Sequence, residues 1–260
     1  MLNLKDVLYE TQGHIATVTL NRPQRLNALG GTLEDDVNEA MKAAELDKEV
    51  RVVVVTGAGR AFCAGLDVKE RADKVGAVPL VERLYGLELP RTMLRMNKPT
   101  IASVNGPAVG WGFELALLCD LRIAADDAKM GDIHVKRGLI QDAAGAYTLP
   151  RIVGWSKACE ILLTGELFSA AEMERLGVVN KVVPSAKLKG ATAEFANRLA
   201  CNAPLGVQMT KRLMRQGLKG DLDDIMDYSM SVDGILLQTD DSKEGFKSFL
   251  EKREPSFKGK

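Results

Sequence analysis

The chain is poor in the residues that build metal sites and disulfide frameworks: its 260 residues include two histidines and four cysteines. Cys63, Cys119, Cys159 and Cys201 are scattered, with neither a CxxC nor an HxxxH spacing. No zinc site and no disulfide-stapled fold is therefore expected, and no metal ligands are assigned. An excess of one charge is also missing, since 35 Lys and Arg face 35 Asp and Glu. That balance removes the basic surplus of a phosphate-neutralising nucleic-acid binder and the polybasic block of a membrane-surface protein. No run approaches the roughly 20 apolar residues of a membrane-spanning helix. The first residues, MLNLKDVLYETQGHIATVTL, have no basic segment leading into an apolar one, and Asp6 and Glu10 argue against a transit peptide. The expectation is a cytoplasmic protein with neither nucleic acid nor membrane as partner.

What is present is an ordinary globular composition, 46% hydrophobic and 27% charged, enough for a sizeable core. Residues 15–20 alternate apolar residues with Thr in strand fashion, and the Asn-Arg-Pro that follows ends the strand because Pro cannot donate to a ladder. Leu33, Val37, Ala40, Met41 and Ala44 keep a helical period behind the acids Glu34 and Asp35, which suit a positive helix start. Residues 51–56 form a β-branched run that reads as a strand buried on both faces. Residues 99–106 repeat that plan, a helix follows from about 112 to 119, and residues 121–125 read as another strand. Strands and helices interleave to about residue 185, so the fold class is α/β with chemistry carried on loops. Beyond it the spacing turns helical over 188–200, 207–218 and 222–237, and the end is polar and basic.

Two glycine-containing junctions follow buried strands: GAGRAFCAGLD at 57–67 and NGPAVGWGFE at 105–114. Neither has the spacing of a phosphate-cradling P-loop or of a dinucleotide fingerprint. Both can offer bare backbone N–H groups to a developing oxyanion, because glycine lets main chain approach a ligand closely. Tight turns are the plainer reading of either loop taken alone.

Together the two junctions resemble the crotonase (enoyl-CoA hydratase/isomerase) superfamily. TVTLNRPQRLNAL at 17–29, the segment 149–184 and the ending EGFKSFLEKREPSFKGK are similar to the family's segments in the same order, so the resemblance covers nearly the whole chain. It implies a spiral of ββα units over 1–190, followed by a helical C-terminal oligomerisation subdomain over 191–260 that builds homotrimers or hexamers formed as dimers of trimers. It also implies an acyl-CoA substrate, with coenzyme A entering as part of the thioester and no prosthetic group.

Carried over residue by residue, the resemblance gives the backbone amides of Leu66 and Trp111 the role of holding the thioester oxygen. Trp111 stands where the family usually has Gly, so its indole either reshapes the acyl pocket or packs in the interior. Glu114 matches one of two catalytic Glu residues; unaided by the resemblance, it is an acid favoured at a helix start. The second Glu is replaced by His134, either an alternative acid/base group or a pocket-lining side chain. Asp142 matches an acid of dienoyl-CoA isomerases and aromatic acyl-CoA dehalogenases, or else caps the following helix. Arg25, Ala28, Ala64, Leu66 and Asp67 fall at coenzyme A-binding positions, with Arg25 the natural phosphate partner. Hydration of a 2-enoyl-CoA is the leading expectation. Double-bond isomerisation through Glu114 and Asp142 is the first alternative; a CoA-independent diketone hydrolase and a non-catalytic acyl-CoA binder follow.

Overall fold

In the computed structural model, which describes residues 2–71 and 88–260, the β-branched run becomes strand β3 (Val52–Gly57). It sits inside a six-stranded sheet with β1 (Val7–Gln12), β2 (Ile15–Leu20), β4 (Thr100–Val104), β6 (Leu121–Ala125) and β9 (Lys181–Val183), ordered β1-β2-β3-β4-β6-β9. β1 and β2 pair antiparallel, and every other pair in this sheet is parallel. Parallel neighbours need crossovers; helix α1 (Leu33–Leu46) supplies the one between β2 and β3. It buries Leu33, Val37, Ala40, Met41 and Ala44 and keeps Glu34, Asp35 and Asp36 in its first turn.

The sheet is covered on both faces, which explains the unbroken Val run of β3. Val53 and Val55 join the main core, whereas Val52 and Val54 join a second cluster with Ile101 and Ile123. That second face is closed by α8 (Leu188–Ala200) through Ala196 and Ala200. α8 thus spans the expected boundary at 190 and 191 while packing on the sheet.

A small second sheet, β5-β7-β8, joins β5 (Ala108–Val109), β7 (Lys129–Gly131) and β8 (Phe168–Ser169). It brings the turn after β7 towards α4 (Trp111–Leu118), and Gly110, just before α4, donates its amide to the Gly131 carbonyl at 2.9 Å. The remaining helices are α2 (Val68–Arg71), α3 (Glu88–Arg95), α5 (Gly145–Val153), α6 (Trp155–Thr164), α7 (Ala170–Arg175), α9 (Pro204–Gly217), α10 (Leu222–Leu236) and α11 (Asp240–Glu251). α11 lies beyond the last helical spacing, read at 222–237, and the polar, basic ending at 257–260 follows it outside any helix. α9 and α10 leave Met214, Leu222, Met226 and Met230 exposed, and α11 does the same with Phe246, Phe249 and Leu250. Among the described residues no helix is long and apolar enough to cross a membrane.

Candidate active site

The two glycine junctions lie against each other. Cys63 donates its amide to the Pro107 carbonyl at 3.0 Å and accepts from Val109 at 2.9 Å, forming a parallel bridge with Ala108. Glycine is required at close approaches between them. A Cβ on Gly65, whose φ is +93°, would stand 2.7 Å from the Val109 carbonyl oxygen, and one on Gly112 would stand 2.2 Å from that of Cys63. The first junction is pinned on its other side by Leu29, which donates to Gly65 at 2.6 Å and accepts from Asp67 at 2.9 Å. Between those two bonds, the Leu66 amide has no acceptor among the described residues. The Trp111 amide has none either, because it opens α4, whose first internal bond runs from Glu114 to Gly110 at 3.0 Å.

Two free amides on adjacent segments form the kind of pair that can hold a thioester oxygen. Trp111 itself is nearly buried and its side chain belongs to the main core, so the indole packs in the interior as one of its two expected readings had it. Cys63 offers no nucleophile: burial pushes its thiol up to about 12.

Glu114 lies one helical turn into α4 and is fully buried. Its Oε1 accepts from the amides of Ala143 at 3.1 Å and Gly145 at 2.6 Å, while Oε2 is buried with no hydrogen-bond partner. Burial pushes its carboxyl up to about 7, with the negative charges of Asp132 and Asp142 adding to the rise, and the Gly145 amide and His134 opposing it. A carboxyl poised there can take or give a proton near neutral pH.

His134 opens the 3-10 turn His134–Arg137 and is almost buried. Its Nδ1 lies 2.7 Å from Asp132 Oδ1 and 3.9 Å from Glu114 Oε2. The hydrogen bond to Asp132 raises the imidazole above its usual value against the opposing effect of burial, and the charges of Asp132, Glu114 and Asp142 push it the same way. Sequence reasoning passed over Asp132. The signal available was an Asp two residues ahead of a His in a turn, a spacing that lets one carboxylate hold both the amide and the ring. Glu114, Asp132 and His134 each offer a donor atom within 4.8 Å of the others, a span that a cation could bridge. Within the trio one hydrogen bond forms, from Nδ1 to Asp132 Oδ1; Glu114 Oε1 is taken by two amides, and Glu114 Oε2 and Asp132 Oδ2 have no hydrogen-bond partner.

Asp142 is exposed and makes no hydrogen bond or ion pair among the described residues. It does not cap a helix, because α5 starts at Gly145 behind Ala144, a left-handed N-cap residue with no side-chain bond. It stands near enough to Glu114 and His134 to raise both.

The positions expected to meet coenzyme A lie on the loop after β2 and on the first junction. Arg25 is partly exposed, with Nε 3.9 Å from Asp67 Oδ2. Asp67 is buried and also faces Arg22 Nη2 at 3.5 Å. Arg22, which sequence reasoning did not select, is the buried hub of this loop: it donates to the Ala28 carbonyl at 2.8 Å and to Glu70 at 2.6 Å. Ala28 is buried with its carbonyl so engaged, and Ala64 is half-buried, its amide bonded to Leu26 at 3.0 Å.

A sequence model of the enoyl-CoA hydratase/isomerase family matches residues 10–260. The chain is 40% identical to (E)-benzylidenesuccinyl-CoA hydratase of Thauera aromatica, over 97% of this chain and 99% of that protein. It is 34% identical to the short-chain-enoyl-CoA hydratase of Clostridium acetobutylicum, over 97% of each. The crystal structure of enoyl-CoA hydratase from Bacillus anthracis superposes with a TM-score of 0.91 at 33% identity, covering 98% of this chain and 100% of that one. With the full-length match in sequence and the same α/β architecture in space, the chain belongs to the enoyl-CoA hydratase/isomerase family of the crotonase superfamily.

Proposed function

We propose that the protein is an enoyl-CoA hydratase that adds water reversibly across a 2-enoyl-CoA, with Leu66, Trp111, Glu114 and His134 as its working groups. The observation that carries this reading is Glu114, a buried carboxylate with one oxygen fixed by two amides and the other unpartnered, one turn from the free amide of Trp111. The Leu66 and Trp111 amides hold the thioester oxygen, at about 3 kcal/mol per donor. Polarisation makes the β-carbon electrophilic. Glu114 takes a proton from water as its oxygen bonds to the β-carbon, and the enolate collects a proton at the α-carbon from His134. The net change is addition of H and OH across the double bond, and solvent exchange returns Glu114 and His134 to their starting states.

Arg25 meets a coenzyme A phosphate, while the main chain around Ala28 and Ala64 lines the approach to Leu66. Asp67 acts by fixing Arg25 and Arg22. No prosthetic group is needed, since every proton is moved by a side chain. The exposed apolar residues of α9, α10 and α11 support assembly into cytoplasmic trimers or dimers of trimers, readable by native mass spectrometry.

Asp142 favours one second reading, in which Glu114 removes a proton at one carbon and Asp142 delivers it at another as a double-bond isomerase. Incubation with 2-enoyl-, 3-enoyl- and dienoyl-CoA separates the two by product mass. A water adduct supports hydration, and an isobaric product with a shifted double bond supports isomerisation. Absence of turnover on the whole panel overturns both.

A further inference from the structure

Asp132 is the buried acid of the cluster that the hydratase reading leaves without a task. It is fully buried between β7 and the turn at His134, and its Oδ1 accepts twice from the same residue: from the His134 amide at 3.0 Å and from the ring Nδ1 at 2.7 Å. A carboxylate can only accept, so Nδ1 carries the shared proton. That two-point hold fixes the ring relative to its own backbone and leaves Nε2 as the working nitrogen. The opposite edge of the ring faces the oxyanion-holding turn, because a Cβ built on Gly110 would lie 3.7 Å from His134 Cε1 and 3.8 Å from Nε2. Gly110 directly precedes Trp111.

We propose that Asp132 is a positioning residue that orients His134 through Nδ1, so that Nε2 gives and recovers the α-carbon proton of the acyl-CoA substrate. This rests on His134 being the second acid/base group. Chemically, a paired Asp and His does here what a lone carboxylic acid does elsewhere in the family. Nε2–H bonds to the α-carbon as its N–H bond breaks, leaving a neutral ring whose remaining proton stays on Nδ1 against Asp132. In the reverse direction Nε2 removes the α-proton and the imidazolium forms beside the carboxylate that favours it. The groups facing the ring are Asp132 from the turn after β7, Glu114 from α4 and Asp142 from the loop before α5. All three are acids, and Asp132 is the one within hydrogen-bond distance.

The scarcity of histidine makes the test direct. In the full-length protein labelled with 15N-histidine, His14 and His134 give the only imidazole signals, and His14→Gln assigns them. Neutral His134 is expected as the Nδ1–H tautomer, and Asp132→Asn is expected to move its titration midpoint down. An Nε2–H tautomer in the unmutated protein, or an unchanged midpoint in the variant, overturns the proposal. The wild-type tautomer decides even where the variant fails to fold.

Kinetics adds a second reading. Asp132→Asn is expected to lower kcat/KM by on the order of 10²-fold and to shift the pH–rate limb that reports the acid. In a His134→Gln background the same change is expected to have little further effect, because it acts through the ring. Full additivity of the two losses overturns the proposal. Absence of any enoyl-CoA turnover by the wild type defeats the hydratase reading instead, and the spectra still decide the role of Asp132.

Discussion

Two buried charge clusters flank the bound thioester in this reading, and they are built on opposite rules. Around Arg22 the acids Asp67 and Glu70 face a guanidinium at 3.5 Å and 2.6 Å, and that cation also holds the Ala28 carbonyl. Around His134 three acids face one imidazole, and Glu114 Oε2 and Asp132 Oδ2 are buried without a hydrogen-bond partner, whereas the one such oxygen of the first cluster, Asp67 Oδ2, keeps the Arg22 guanidinium 3.5 Å away. Paired charge fixes a loop. Unpaired buried charge costs stability and moves pKa values to where protons transfer. In the proposed hydratase the first cluster therefore serves binding of the coenzyme, and the second serves the chemistry.

Substitutions that hit one cluster and spare the other sharpen this contrast. Glu114→Gln keeps an oxygen for the Ala143 and Gly145 amides, so the fold should survive while kcat falls about 10²- to 10⁴-fold; steady-state hydration assays with a 2-enoyl-CoA measure it. Arg22→Ala should do the reverse, lowering unfolding stability by about 3 kcal/mol as Asp67 loses its nearest cation, with denaturant titration as the readout.

The pH response follows from Glu114, whose folded pKa of about 7 lies above its ordinary value of 4.5. Between those values the folded state keeps a proton that the unfolded chain releases. The associated stability is full below the ordinary value and is lost as pH rises through the folded one, by on the order of 3 kcal/mol. Titrating stability from pH 4 to 8 should show that fall in the wild type and a flatter profile in Glu114→Gln. A parallel fall in both would contradict a raised Glu114.

Arg25→Ala should leave stability within about 0.5 kcal/mol and raise KM for CoA thioesters roughly 10-fold with kcat little changed. An equal loss in kcat would move Arg25 into the chemical step. The smallest expected effect is at Ala144, a non-glycine residue at φ +77° between the two amides that hold Glu114. Ala144→Gly should relieve strain and stabilise by up to about 1 kcal/mol, with Glu114 chemistry retained.

Strong periodicity made much of the fold readable. β2 (Ile15–Leu20) and α8 (Leu188–Ala200) fall where the alternation and the helical spacing put them. β1 was missed because it is an edge strand that buries only Val7, so it carries no two-sided apolar pattern. β5 and β8 are two residues long, too short to show any period. α11 was missed because its apolar residues Phe246, Phe249 and Leu250 point away from the protomer core. Within the site, Glu114, His134 and the two amides were picked out by the family resemblance of the two junctions; spacing alone gave only tight turns and an acid at a helix start. Asp132 and Arg22 were not, since a single Asp or Arg in a loop is marked only by the partners that folding gives it.

By itself, the sequence determined the α/β class and the two glycine junctions, because strand and helix periods and the need for glycine at crowded turns are local properties; the acid/base candidates followed from the resemblance of those junctions to the family. Its shortage of histidine and cysteine kept the set of proton-transfer candidates small. Only the tertiary structure decided which acids are paired and which stand unpaired, since desolvation and charge proximity arise between segments such as α4, the turn after β7 and the loop before α5. That is why Asp67 sits against arginines in one cluster while Glu114 is raised in the other.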